Sequence, residues 1–153
     1  MQRRAKNQSA GEIEYIFRHE REIREAVLEA KLGTARHIDG VPSGKSNISD
    51  PTYAAAIRLA EEVMCVILPD RTEIKKPERW LKVIGAVREW CKEDTIDNAI
   101  FQAVLIQPRK ENRRAAREWR DIICSLLNIE PPFYYARIRA ICLYRDGVIA
   151  GMI

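Results

Sequence analysis

Residues 40–46 read Gly40-Val41-Pro42-Ser43-Gly44-Lys45-Ser46 and end in Gly-Lys-Ser, the close of the loop that wraps nucleotide phosphates. That chemistry needs four residues between its two glycines, so that successive backbone N–H groups form a cradle and the lysine reaches the outer phosphates. Here three residues separate Gly40 from Gly44, and one of them, Pro42, has no N–H to give. The residues before it, Ala35-Arg36-His37-Ile38-Asp39, are not the buried strand such a loop follows. Spacing, donors and context all argue against a phosphate loop, and no cofactor is expected.

Metal and acid/base chemistry are poorly served as well. Cys65, Cys91, Cys124 and Cys142 lie 26, 33 and 18 residues apart, and the histidines are His19 and His37. Zinc sites use short ligand pairs to place two donors on one ion, and none occurs. Each cysteine stands among apolar residues, so all four read as buried, reduced thiols. The carboxylates alternate with Lys and Arg at i, i+3 and i+4, as on solvated helix faces. No catalytic constellation emerges, and the chain is not expected to be an enzyme.

Positive charge is the remaining chemical resource. Up to Gln107 there are 17 Lys and Arg against 17 Asp and Glu; from Pro108 onward there are 9 against 5, so the whole net charge of +4 lies in the last third. A basic segment on a neutral body is the electrostatic footprint of a nucleic-acid binder.

The elements that must carry these residues are almost all helical. At 153 residues and 46% apolar, the chain can bury the core of one ordinary domain. Ile13, Ile16, Phe17, Ile23, Val27 and Ala30 recur at helical steps, predicting one amphipathic helix over 11–32 that Gly33 stops. Glu20 interrupts its apolar stripe, which suits packing in a small bundle or against a second copy. Residues 34–50 read as a loop, and Asp50-Pro51 as a helix start, with an N-cap acceptor before a proline at the first helical position. A helix from Pro51 to about Leu68 would bury Ala56, Leu59, Ala60, Val63 and Ile67. Another opens at Pro77 with Trp80, Leu81, Ile84, Val87, Trp90 and Cys91 on one face, followed by helices over 96–106, 111–127 and 132–144. The expected class is all-α: a small helical bundle with a long N-terminal helix and a C-terminal helix-turn-helix. Its regions are 1–50 (helix plus loop), 51–107 (central helices) and 108–153 (helix-turn-helix).

The helix-turn-helix expectation rests on Trp119 to Tyr144. Such a motif wants a small residue where the helices cross, a residue tolerant of left-handed backbone four positions on, and an apolar residue next. Cys124, Asn128 and Ile129 occupy those places, and Asn enters the left-handed region more readily than most residues. On the second helix Tyr135, Arg137 and Arg139 are expected on faces not needed for packing, available to base edges. Arg109, Lys110, Arg113, Arg114 and Arg117 would lie along phosphates, adding affinity without sequence information. A plain helical hairpin with solvated arginines would leave the same pattern.

The stretch Ser43-Gly44-Lys45-Ser46-Asn47-Ile48-Ser49-Asp50-Pro51-Thr52 resembles the Gly/Ser-rich loop ending in Ser-Asp-Pro-Thr of phage-encoded regulators related to RinA-type late-gene transcriptional activators. In that family an N-terminal helix precedes the loop and a sigma-factor-like helix-turn-helix ends the chain. Tyr134-Tyr135, after Asn128-Ile129-Glu130, is similar to the tyrosine pair early in the family's last helix. The resemblance implies a phage or prophage regulator that binds double-stranded DNA in the bacterial cytoplasm. The N-terminal region would then serve homodimerisation or contact with host RNA polymerase. A small terminase-like DNA-packaging component, or a helical interaction module that never touches DNA, are the other functions compatible with a small helical chain. No run of about 18 apolar residues is present to cross a bilayer, and the polar start Met1-Gln2-Arg3-Arg4-Ala5-Lys6 is unlike a signal peptide.

Overall fold

The computed structural model describes residues 2–39, 56–57 and 59–152. It is mostly helical, with one small antiparallel hairpin that the all-α expectation did not include. The helices are α1 (Gln2–Arg18), α2 (Glu20–Asp39), α3 (Pro77–Cys91), α4 (Thr95–Ile100), α5 (Arg113–Leu127) and α6 (Pro131–Met152); the strands are β1 (Cys65–Ile67) and β2 (Glu73–Lys75), and a π-helical segment, Phe101–Leu105, extends α4. The loop carrying Gly44-Lys45-Ser46, the Ser-Asp-Pro-Thr string and the Asp50-Pro51 helix start lie outside the described residues.

Two compact units divide the chain: residues Met1–Glu20 with Leu81–Ile153, and residues Arg21–Trp80. The division follows packing and runs through the sequence regions 1–50 and 51–107.

The single helix expected over 11–32 is two helices, broken at His19. The backbone N–H of His19 donates to Tyr15 O (3.0 Å) and Ile16 O (3.3 Å). Its Nδ1 donates to Tyr15 O at 2.7 Å, and its ring stacks on Tyr15 with centroids 3.8 Å apart. A side chain that competes for the i−4 carbonyl disturbs the ladder at that point. Gly33 does not stop α2, which runs on to Asp39 and so takes the first residues of the expected 34–50 loop.

In the first unit Ile13, Ile16 and Phe17 of α1 are buried, as are Val83, Ile84, Val87 and Cys91 of α3 and Ile100 and Phe101 after it. The 3.6-residue period puts each set on one helix face, and each Ile or Phe so buried contributes about 1.5–3 kcal/mol. Trp90 of α3 stacks on Tyr144 of α6, centroids 4.6 Å apart and planes 9° from parallel. Glu20 falls on the same stripe as Phe17 and is buried, contrary to the solvated reading of the carboxylates. It is satisfied there by an ion pair with Arg88. The second buried carboxylate, Asp97, is treated below.

In the second unit Ile23 and Val27 of α2 are buried, and so are Val66, Leu68 and Ile74 of the hairpin. The helix expected to reach Leu68 does not: Ala56, Ile57, Leu59 and Ala60 are helical and exposed, and Cys65–Ile67 is extended. Val66 pairs with Ile74, so alternation sends these two inward and Cys65, Ile67, Glu73 and Lys75 outward. Ile67 and Cys65 are thus exposed, not buried as the helical reading had them. Pro69-Asp70 does not end a helix but turns a hairpin: Arg71 takes the left-handed φ of 70°, and Asp70 Oδ1 accepts the Thr72 N–H at 3.0 Å. Nearby, Lys31 donates to Leu59 O (2.8 Å) and pairs with Glu78, whose other oxygen accepts the Val63 N–H (2.9 Å).

Candidate nucleic-acid interface

The candidate residues lie on α5, on α6 and in the segment before α5. Asn112 starts α5: its backbone is extended and its Oδ1 accepts the Ala115 N–H at 2.8 Å, satisfying a donor the helix cannot. The helix therefore opens two residues later than Glu111. It ends at Asn128, whose φ of 55° and ψ of 49° are left-handed; the Asn128 N–H donates to Cys124 O and Ser125 O, and the Ile129 N–H to Cys124 O at 3.0 Å. Pro131 and Pro132 then lead α6, where missing N–H groups cost nothing; the Tyr134 N–H is free to bond Glu130 O at 3.0 Å. Ile123 and Cys124 are buried on α5, Tyr134 and Ile141 on α6. Burial pushes the Cys124 thiol above its usual range. The helix continues to Met152, beyond Tyr144.

The two helices are tied across the turn by Arg120, whose Nη1 donates to the Tyr135 hydroxyl at 3.0 Å while its Nε donates to Asp121 at 3.0 Å. Tyr135 keeps its ring exposed but shares its hydroxyl with that contact. Arg137 is not on a free face. Its Nε and Nη2 grip both oxygens of Asp97 at 2.7 and 2.5 Å, and Asp97 is only 2% exposed. The bidentate fork holds α6 on α4 and raises the arginine's already high pKa. Arg139 is exposed and makes no ion pair among the described residues.

Of the five expected phosphate contacts, Arg113 and Arg117 are exposed and likewise without an ion pair among the described residues. Arg114 pairs with Glu118 at 3.2 Å, both largely exposed. Arg109 lies 3.9 Å from Glu14 and is 81% exposed, a contact of little energetic weight. The Lys110 ammonium sits 4.3 Å from the centroid of Trp119. Arg117, one turn before Arg120, and Arg139, one turn after Tyr135, continue outward from the Arg120–Tyr135 contact along the two helices.

The residues ahead of α5 are held by groups that residue patterns did not single out. Side chains bond carbonyls of the π-helical turn and of the residue Gln107 beyond it: Gln107 Nε2 donates to Gln102 O (3.0 Å), Trp119 Nε1 to Ala103 O (2.9 Å), and Arg18 Nη1 to Val104 O (3.3 Å) and Gln107 O (2.7 Å). Arg18 also donates to Glu14 at 3.0 Å. Arg18, 86 to 89 residues from those carbonyls, carries no sequence signal for this role. The result is an open groove of about 510 Å³ whose walls include Arg18, Arg109, Lys110, Arg113 and Trp119.

Among the described residues no helix is long and apolar enough to cross a membrane, and no group of three His, Cys, Asp or Glu is placed to hold a metal ion. Comparison of the chain with protein-family models, curated proteins and solved structures finds no match.

Proposed function

We propose that α5 and α6 act as a helix-turn-helix and that the chain is a DNA-binding transcriptional regulator of the RinA-like phage type. The observation that carries the reading is the pairing of a left-handed Asn128 turn, closed on the buried Cys124, with exposed arginines that form no ion pair among the described residues. Arginines that serve a bundle pair with carboxylates, as Arg114 and Arg137 do here; unpaired ones on a basic segment suit phosphates. In this reading Arg109, Lys110, Arg113 and Arg117 lie along the backbone, and Arg139 with the Tyr135 ring meets the groove. Arg137 belongs to the scaffold that aims α6. A single small motif covers little DNA, so a homodimer on paired half-sites, or contact with host RNA polymerase, completes the complex in the bacterial cytoplasm.

Titration of duplex promoter DNA at two salt concentrations tests this. Wild type is expected to lose affinity steeply with salt, and Arg113→Ala/Arg117→Ala to reduce the slope of log K against log salt by about 2, one for each phosphate contact removed. Binding without salt dependence, unchanged in that variant and in Arg139→Ala, would remove the proposal. A second reading, a helical interaction module, is favoured by the exposed Ile122, Leu126 and Leu143 on the same two helices. It predicts a partner protein whose binding is lost in Leu126→Glu while duplex DNA is ignored. A ring of many copies in light scattering would instead point to a packaging component.

A further inference from the structure

We propose that the groove ahead of α5 binds one nucleotide unit, with its phosphate at the α5 N-terminus and its base on the Trp119 ring. The groove is held in shape by the protein's own hydrogen bonds. Its floor loop is pinned at one end by Arg18 on Gln107 O and at the other by Asn112 capping α5. Its volume, about 510 Å³, far exceeds what a lone phosphate fills and lies in the range of small-molecule sites.

Charge and aromatic surface are arranged for that ligand. Four cations, Arg18, Arg109, Lys110 and Arg113, line it against two carboxylates, Glu14 and Glu111. Arg18 is spent on Glu14 and two carbonyls, which leaves Arg109, Lys110 and Arg113 to meet an anion. They stand where α5 begins and the helix dipole favours negative charge; Asn112 caps only the Ala115 N–H, so the first-turn N–H groups of Arg113 and Arg114 have no partner among the described residues. In the same groove the indole is fixed by its bond to Ala103 O, and the Lys110 ammonium above its ring marks a face that a charged or planar group can reach. A base takes that place and Lys110 turns to the phosphate. A phosphate joined to a planar base occurs both in free mononucleotides and in single-stranded DNA.

The site does not depend on duplex recognition by α6. Calorimetric titration of the full chain with inorganic phosphate, AMP and a ten-residue oligo-dT, without duplex DNA, tests it. AMP is expected to bind about 5- to 150-fold more tightly than phosphate, the range one base stacked on an aromatic ring contributes. Tighter binding of oligo-dT than AMP assigns the site to single strands, and the reverse order to free nucleotide. Arg113→Gln and Lys110→Gln, exposed positions that leave the fold intact, are each expected to weaken AMP several-fold. Equal affinity for phosphate and AMP, no binding of either, or AMP affinity unchanged in both variants would overturn the proposal. Arg139→Ala lies outside the groove and should leave AMP binding as in wild type. A chain that binds AMP but not duplex DNA keeps this site and loses the helix-turn-helix reading.

Discussion

The two arginines of α6 expected to read DNA, Arg137 and Arg139, are two residues apart and do different jobs. Arg137 neutralises a carboxylate that is almost wholly buried, and Arg139 stands in solvent. Removing one partner of a buried pair strands the other charge, which costs about 3 kcal/mol or more. Arg137→Ala is therefore expected to lower the urea midpoint clearly, and Arg139→Ala to leave the unfolding free energy within about 0.5 kcal/mol of wild type. A loss of DNA affinity in Arg137→Ala would then report a displaced α6 rather than a lost base contact, and the midpoint distinguishes the two. The thiols divide in a similar way. Cys91 is fully buried, and burial, with Asp97 adding to it, pushes its thiol up to about 12. Cys65 is exposed on the hairpin. An aromatic disulfide reagent at pH 8 should label Cys65 first, Cys142 more slowly, and Cys91 and Cys124 only after unfolding, since reaction requires an accessible thiolate. Equal rates for all four in the native protein would contradict the burial pattern.

At the scale of elements, the α5–α6 turn was the most legible part of the chain. Asn128 was expected in left-handed geometry and is found there, because a helix that must stop and reverse within three residues needs a positive φ, and Asn pays less for it than other non-glycine residues. Asn128→Gly should leave stability unchanged or slightly raised, and Asn128→Ala should cost about 1–2 kcal/mol in chemical denaturation. If Ala were as stable as Gly, the left-handed turn would not be what ends α5. The helix opening at Pro77 was legible for the same kind of reason, an apolar period of 3.6 behind a proline. The hairpin was not. Each strand is three residues long, so one inward side chain apiece, Val66 and Ile74, is the whole period-two signal. The run Val63 to Leu68 fits a buried helix equally well by composition. The break at His19 was hidden too, since a ring bonding back to Tyr15 changes no hydrophobic spacing.

For the whole molecule, the two units differ in build. The unit formed by Met1–Glu20 and Leu81–Ile153 buries long helices, whereas Arg21–Trp80 includes strands that share only a few ladder bonds. Short two-stranded pieces are marginal without support, so opening there should be cheaper. Native-state hydrogen exchange is expected to give lower protection at the hairpin amides, such as Leu68 bonded to Thr72 O, than at Val87 and Ile141 in the helical core. One common protection level would mean that the chain opens as a single unit.

Sequence alone determined the mainly helical class, the basic final third and the position of the α5–α6 turn. These follow from local quantities: spacing, period, charge balance and the φ a residue tolerates. Only the tertiary structure decided which charged residues remain at the surface. Asp97 and Arg137 are 40 positions apart, as Glu20 and Arg88 are 68 apart, and nothing in either neighbourhood marks a pair. Burial assigns them to each other because an ionised group out of water must find its counter-charge, and that partner is chosen by packing rather than by spacing.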